Sequence, residues 1–304
     1  MISRISLPSP FHRLERLSDG WDIDLWAKRD DLIPQYMGGN KVRKNFAILQ
    51  QAITSDGLPD VIITNGGAES NHARVVALMG AQLGCKVYLV LHGEEPSVHN
   101  TSGNSFFYRS AGATTYYVDS AKISSTIDEL AASARKNGES VFVIPGGGHS
   151  VDGVSAYTET VSELPFEPDY IVHASGTGGT QAGLLRGIAN KNWNTQIFGI
   201  SVARAAERGI DEVAKLLPNE FPRQKIDFRD EFRFGGYEKF DDELLQFVKD
   251  AIRQEGIPLD LTYTGKAMFG LYKLIISGDI EPESKVVFWH TGGLLNLTSC
   301  SLKG

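Results

Sequence analysis

Apolar positions along the chain fall into two alternating patterns. Short apolar runs mark buried strands at Val61 to Thr64, Lys86 to Leu91, Thr114 to Val118, Val141 to Ile144, Asp169 to Ala174, Ile197 to Ser201 and Lys285 to His290. Between them apolar residues recur every three or four positions, as Val42, Phe46, Leu49 and Ile53 do. That is the spacing of one helical face. It predicts helices from near Asn40, from Ser70 to Gly84, and over Thr101–Ser110, Ile123–Lys136, Val151–Glu163, Thr180–Ala189, Glu207–Leu217, Asp241–Glu255 and Lys266–Ile276. Strands alternating with helices predict an α/β fold with mostly parallel sheets. The turn Pro145-Gly146-Gly147-Gly148 separates two series of such units. The expected architecture is therefore two doubly wound sheets, with ligands at the carboxyl ends of the strands in a cleft between them.

Composition narrows the partners. The chain has 304 residues, 41% hydrophobic and 22% charged, with a net charge of −7 and no extended basic run. Phosphate-backbone binding needs concentrated Lys and Arg, so nucleic acid is not an expected partner. Cys85 and Cys300 lie far apart and form no Cys-x-x-Cys pair, and the seven histidines are scattered without a His-Glu-x-x-His. A structural metal is not expected, and a reducing compartment fits. No run approaches 18 uninterrupted apolar residues, and Met1 to Arg16 has no apolar leader. The expectation is a cytoplasmic protein with no membrane partner.

Candidate chemistry concentrates in glycine-rich turns. Ser175-Gly176-Thr177-Gly178-Gly179-Thr180 lies between a strand and a helix, where backbone N–H groups can converge on an anion. A tight turn alone would also use those glycines. A dinucleotide fingerprint is excluded, because Gln181 occupies its sixth position and the next strand runs into Val202-Ala203-Arg204 without an acid. No Walker phosphate loop and no Gly-x-Ser-x-Gly elbow occurs. Lys41 follows Gly38-Gly39-Asn40 and opens a helix, where the dipole mildly disfavours a cation. Surface exposure is the default for a lysine, but a desolvated amine becomes a nucleophile. A lysine amine for an aldehyde and a separate cradle for a phosphate are the two needs of pyridoxal phosphate. Ser70 and Asn71 follow Asn65-Gly66-Gly67; Ser70 can cap the helix, face the cleft, or both. His72 is expected in packing. Tyr263-Thr264-Gly265-Lys266 and His290-Thr291-Gly292-Gly293 are further site candidates or plain turns.

In this order the segments resemble the pyridoxal-phosphate enzymes of fold type II, and within them the group of D-cysteine desulfhydrase and 1-aminocyclopropane-1-carboxylate deaminase. The likeness runs from Lys28-Arg29-Asp30-Asp31-Leu32 through Met37 to Lys44, Ser70-Asn71-His72, Gly103-Asn104, Ile144-Pro145, Ala174 to Thr177, Tyr263 to Ala267 and His290 to Gly293. It implies that Lys41 bonds covalently to the cofactor aldehyde and shuttles protons, and that Asn71 bonds the phenolic oxygen. Ser175, Gly176, Thr177, Gly178, Gly179 and Thr180 would hold the phosphate, with Thr291 at the ring nitrogen. Ser70 would meet the substrate carboxylate, and Tyr263 and Tyr237 would lie near the substrate. The implied domains are 1–43 with 152–304, which binds the cofactor, and a small α/β domain, 44–151. The implied protein is a homodimeric lyase for a small amino acid.

Three positions depart from the family pattern. Thr264 stands where cyclopropane deaminases typically carry a glutamate beside the ring nitrogen, which favours D-cysteine going to pyruvate, sulfide and ammonia. Glu69 replaces a glutamine and is expected either to alter which substrate is accepted or to face solvent. His149-Ser150 replaces Ser-Asn. The rival readings are a cyclopropane deaminase, a lyase for another β-substituted amino acid, and a non-catalytic ligand-binding protein.

Overall fold

The computed structural model describes residues 4–96 and 102–299. Thr101 and Cys300 lie outside the described residues. Ten strands and eleven α-helices occur among the described residues, joined by short 3-10 turns. The strands are β1 (Phe11–Arg13), β2 (Asp24–Arg29), β3 (Val61–Gly67), β4 (Lys86–His92), β5 (Thr114–Tyr117), β6 (Val141–Ile144), β7 (Tyr170–Ser175), β8 (Gln196–Ser201), β9 (Asp227–Arg229) and β10 (Lys285–His290). The first six helices are α1 (Glu15–Trp21), α2 (Asn40–Asp56), α3 (Asn71–Leu83), α4 (Gly103–Ser110), α5 (Ile123–Lys136) and α6 (Val151–Thr160). The others are α7 (Gly179–Lys191), α8 (Ala206–Ala214), α9 (Asp242–Glu255), α10 (Thr264–Ser277) and α11 (Asn296–Ser299).

Two sheets result. The larger runs β1-β2-β10-β7-β8-β9 and the smaller β5-β4-β3-β6. Every neighbouring pair is parallel except β1 with β2. The α/β expectation with mostly parallel sheets therefore holds. All seven strands read from apolar runs are present, six of them within one residue at each end; β3 runs three residues further, to Gly67.

Parallel strands covered on both faces read as continuous apolar runs, and β10 shows why. Val286 and Phe288 join Val172, Phe198 and Ile200 against α9 and α10. Val287 and Trp289 point the other way, to Ile171 and Ile197 against α6 and α7. The small sheet repeats this arrangement, with Ile62 and Leu89 against α2 and α3, and Val61, Ile63 and Val90 against α5. Five elements carry no clear apolar run: β1, α1, β2, β9 and α11. In β2 the reason is that Lys28 and Arg29 are themselves buried, Lys28 against the distant Glu163 and Arg29 against Asp31.

Candidate active site

The functional turns all follow strand carboxyl ends. β7 leads into the Ser175–Gly178 turn, β8 into Arg204, β10 into Thr291–Gly293, β3 into Ser70, and β6 into Gly146–Gly148. Lys41 reaches the same place from β2 through two 3-10 turns and the start of α2.

Gly38 and Gly39 have φ of 67° and 95°, in the left-handed region open to glycine. Space demands glycine as well. A Cβ on Gly39 would sit 3.0 Å from the Thr291 carbonyl oxygen, which accepts from Asn40 N at 2.9 Å. Asn40 Nδ2 then donates to Thr180 Oγ1 at 3.1 Å. The lysine-bearing helix is thus tied at its first residue to both other turns. Lys41 Nζ donates to Gly147 O at 2.9 Å. Loss of water, with the nearby charge of Arg204 adding to it, lowers its pKa to about 8, so a substantial fraction is neutral near pH 8.

One helical turn further on stands Lys44, 1% exposed. Burial, and secondarily Lys41, push its pKa well below the ordinary lysine value. Its Nζ lies 5.9 Å from the Tyr157 ring centroid. It also lies 3.0 Å from where a Cβ on Gly179 would stand. Neither lysine forms an ion pair among the described residues. The opposing turn narrows the same space: Gly178, with φ of 85°, packs where a Cβ would be 2.9 Å from Val213 Cγ2. Two desolvated cations facing a glycine turn at a helix N-terminus leave room for an anion and no protein group to serve as one. A phosphate ester fits that donor set.

The inner pocket is lined by Lys41, Lys44, Asn71, Ser175, Gly176, Thr177, Gly178, Thr180, Tyr263 and Thr291 among others. So the structure brings together nearly every sequence-predicted cofactor residue. Gly179 lines neither this pocket nor the next. Ser175 Oγ is engaged with Gln181 Oε1 at 3.0 Å. Asn71 Oδ1 accepts from Arg74 at 3.0 Å and its Nδ2 donates to Asn296 at 2.7 Å, which fixes the orientation of its amide at the pocket wall.

Lys41, Gly176, Thr177 and Tyr263 also border a wider chamber of about 630 Å³, joined there by Ser70, Tyr237, His149, Arg204 and Glu212. Ser70 both caps α3, accepting from Ala73 N at 3.3 Å, and lines this chamber. Tyr237 and Tyr263 share a hydrogen bond of 2.8 Å between hydroxyls. Burial raises both phenol pKa values above the ordinary one, so both stay protonated donors. Lys266, buried, donates to the carbonyls of Arg233 and Gly236 at 2.9 and 2.6 Å. It thereby fastens the loop that carries Tyr237 to α10.

Several expectations are corrected. Glu69 neither lines the chamber nor points to solvent: its Oε2 accepts from the backbone N–H of Asn104 and Ser105 at 2.8 and 3.3 Å, capping α4. Thr264 does not border the inner pocket, because its Oγ1 donates to Asp260 Oδ1 at 2.7 Å. His290 is structural, with Nε2 held 2.7 Å from Pro258 O. His72 packs as expected, between Asn45 and Thr64. Sequence reasoning missed Lys44 and Arg204. Helical spacing from Lys41 could have found the first, and the position of Arg204 after a strand end could have found the second.

Comparison with known proteins gives a consistent result. Residues 2–292 match the family described as pyridoxal-phosphate dependent enzyme. A Pyrococcus horikoshii protein named "Putative 1-aminocyclopropane-1-carboxylate deaminase" is 34% identical, over 96% of this chain and 91% of its own length. One of the same name from Pyrococcus abyssi is 35% identical over the same shares. The solved structure titled as an analysis of the ACC deaminase homologue superposes with a TM-score of 0.85 at 34% identity, covering 97% of this chain and 92% of that one.

Proposed function

The chain belongs to the pyridoxal-phosphate-dependent enzyme family, and we propose that it is a lyase that removes a β-substituent from a small amino acid, with D-cysteine as substrate. The products are pyruvate, hydrogen sulfide and ammonia, and one water is consumed. The observation that carries the reading is the pair of desolvated, unpaired lysines facing the 175–180 turn. Lys44 and that turn would hold the phosphate, Lys41 the aldehyde, Asn71 the phenolic oxygen and Thr291 the ring nitrogen.

When bound, pyridoxal phosphate supplies an electron-accepting ring that stabilises negative charge at the substrate Cα. The rest falls to the chain. Ser70 and the first amides of α3 receive the substrate carboxylate at a helix N-terminus. Lys41 Nζ, neutral in part near pH 8, accepts the Cα proton. Tyr237 and Tyr263, kept protonated by burial, orient the β-substituent and offer a proton to the departing sulfur. No carboxylate lines the inner pocket among the described residues, so the ring nitrogen would meet the neutral Thr291. That suits elimination, in which the leaving group drains the carbanion quickly.

A second reading is cyclopropane-carboxylate deamination, which the names of the relatives favour. Holoenzyme given D-cysteine, L-cysteine and 1-aminocyclopropane-1-carboxylate, scored for keto acid, separates the two. Product from the cyclopropane acid but not from D-cysteine replaces the first reading with the second. No product from any, with cofactor retained, leaves a binding protein. A homodimer belongs to the proposal, and sedimentation of the holoenzyme tests it.

A further inference from the structure

The wall of the chamber contributed by the large sheet carries charge that the proposed elimination of a neutral thiol does not use. Arg204 follows the end of β8 and borders the chamber, with Arg208 beyond it on α8. Among the described residues Arg204 forms no ion pair; its Nη1 donates to the Gly176 carbonyl. The one acid on this wall, Glu212, pairs with Lys215 at 2.6 Å and faces His149 at 3.7 Å; its charge also reaches Arg204 without forming an ion pair with it. The remaining titratable groups facing the chamber are Lys41, His72, His92, His149, Tyr237 and Tyr263. Arg204 is half-buried and borders the chamber but not the inner pocket. Ser70, at the other sheet, faces the same space.

We propose that Arg204, backed by Arg208, recognises a negatively charged β-substituent, so that the substrate class is a β-substituted alanine bearing a sulfonate or phosphate ester. This rests on the lyase reading but replaces its neutral thiol substrate, D-cysteine, with an anionic one. One anionic group, the α-carboxylate, meets Ser70 and the α3 N-terminus; the second meets a guanidinium, whose planar fork matches such oxygens. In the elimination the Cα proton passes to Lys41 Nζ, the electron pair of the Cβ–S or Cβ–O bond leaves with sulfite or phosphate, and water converts the aminoacrylate to pyruvate and ammonia. No oxidant or reductant enters. Arg204 then also steadies the departing anion.

The test uses holoenzyme with both enantiomers of cysteate and O-phosphoserine against cysteine and β-chloroalanine. The wild type is expected to favour the anionic pair in kcat/KM. Arg204→Gln should cut the anionic-to-neutral ratio about tenfold or more, chiefly through KM, as loss of a charged hydrogen bond implies. Arg204→Lys should recover part of it. Equal losses on both classes would make Arg204 a prop for the Gly176 turn or a partner of the α-carboxylate, and overturn the proposal. A wild-type preference for the neutral pair would also overturn it. Calorimetric titration of holoenzyme with cysteate reads the same contact without turnover. Binding that Arg204→Gln abolishes, with no keto acid from any compound, would sink the lyase reading while sustaining this site; no binding and no turnover would sink both.

Discussion

Two sides of one helix handle buried charge in opposite ways. On α2, Arg43 donates to Glu163 Oε1 at 2.7 Å, Asp30 Oδ1 at 2.8 Å and Ser9 Oγ at 3.0 Å. Asp30 also accepts from Trp289 Nε1 at 3.0 Å and from Tyr157 Oη, and Lys28 closes the cluster on Glu163 at 2.6 Å. Two cations, two acids and their hydrogen bonds saturate one another. Two residues before Arg43 and one after it, Lys41 and Lys44 have no acid at all. Tyr157 stands between the two regions, with its hydroxyl on Asp30 and its ring below Lys44. Burying an ion is costly unless partners compensate. The first cluster is compensated within the chain and anchors the helix. The second has no compensating acid among the described residues, which is what the proposed anion site would require.

The largest effect should come from Lys41→Ala. Covalent cofactor retention should vanish and keto-acid formation should fall on the order of 10³-fold or more, the range for removing a general base. Visible absorbance and a keto-acid assay check this, and wild-type turnover would break the assignment. Asp30→Ala attacks the saturated side: it leaves Arg43 half-compensated and should cost about 3–5 kcal/mol in urea unfolding. A loss under about 1 kcal/mol would mean the network is no anchor.

Lys44→Met attacks the other side. Cofactor affinity should drop roughly ten- to hundredfold, the worth of a charged hydrogen bond, while the apo-protein becomes no less stable because an uncompensated cation is gone. Equilibrium titration and melting of the apo-protein test both halves; a destabilised apo-protein would contradict the contrast.

Acidity gives a finer test. The Lys41 amine is protonated below about 8 rather than below 10.5, so covalent uptake of cofactor by apo-protein should rise with pH and level off above about 8. The same depression makes apo-protein stability rise with pH between those two values, where the unfolded chain binds the extra proton. An uptake profile centred near the ordinary lysine value would show that Lys41 is well solvated. The smallest effect is expected from Glu69→Gln, about 0.5–1 kcal/mol of stability from a weakened helix cap, with KM unaltered. A shifted KM would return Glu69 to the substrate chamber.

Much of the fold was legible because parallel strands buried on both faces carry near-continuous apolar runs, as Val61–Ile63 of β3, Ile171–Val172 of β7, Ile197–Phe198 of β8 and Val286–Trp289 of β10 do. β2 was not, since Lys28 and Arg29 are buried at its carboxyl end against Glu163 and Asp31. Of the site, Lys41 and the 175–180 turn were readable from glycine spacing alone. Lys44 was not singled out: helical spacing from Lys41 places it on the same side of α2, but nothing local marks it as buried without an acid. Glu69 and Thr264 were misplaced for a related reason: a side chain beside a site motif can turn to a backbone N–H or to Asp260 instead.

By itself the sequence determined the α/β alternation, the strand positions and the turns at which chemistry could gather, since periodicity and glycine conformation are local properties. Tertiary structure decided which charges are neutralised. That depends on partners more than 100 residues apart, as Arg43 and Glu163 are, and on how much water each ion loses. It therefore separated the lysines and arginine left without an ion pair among the described residues from those paired within the chain.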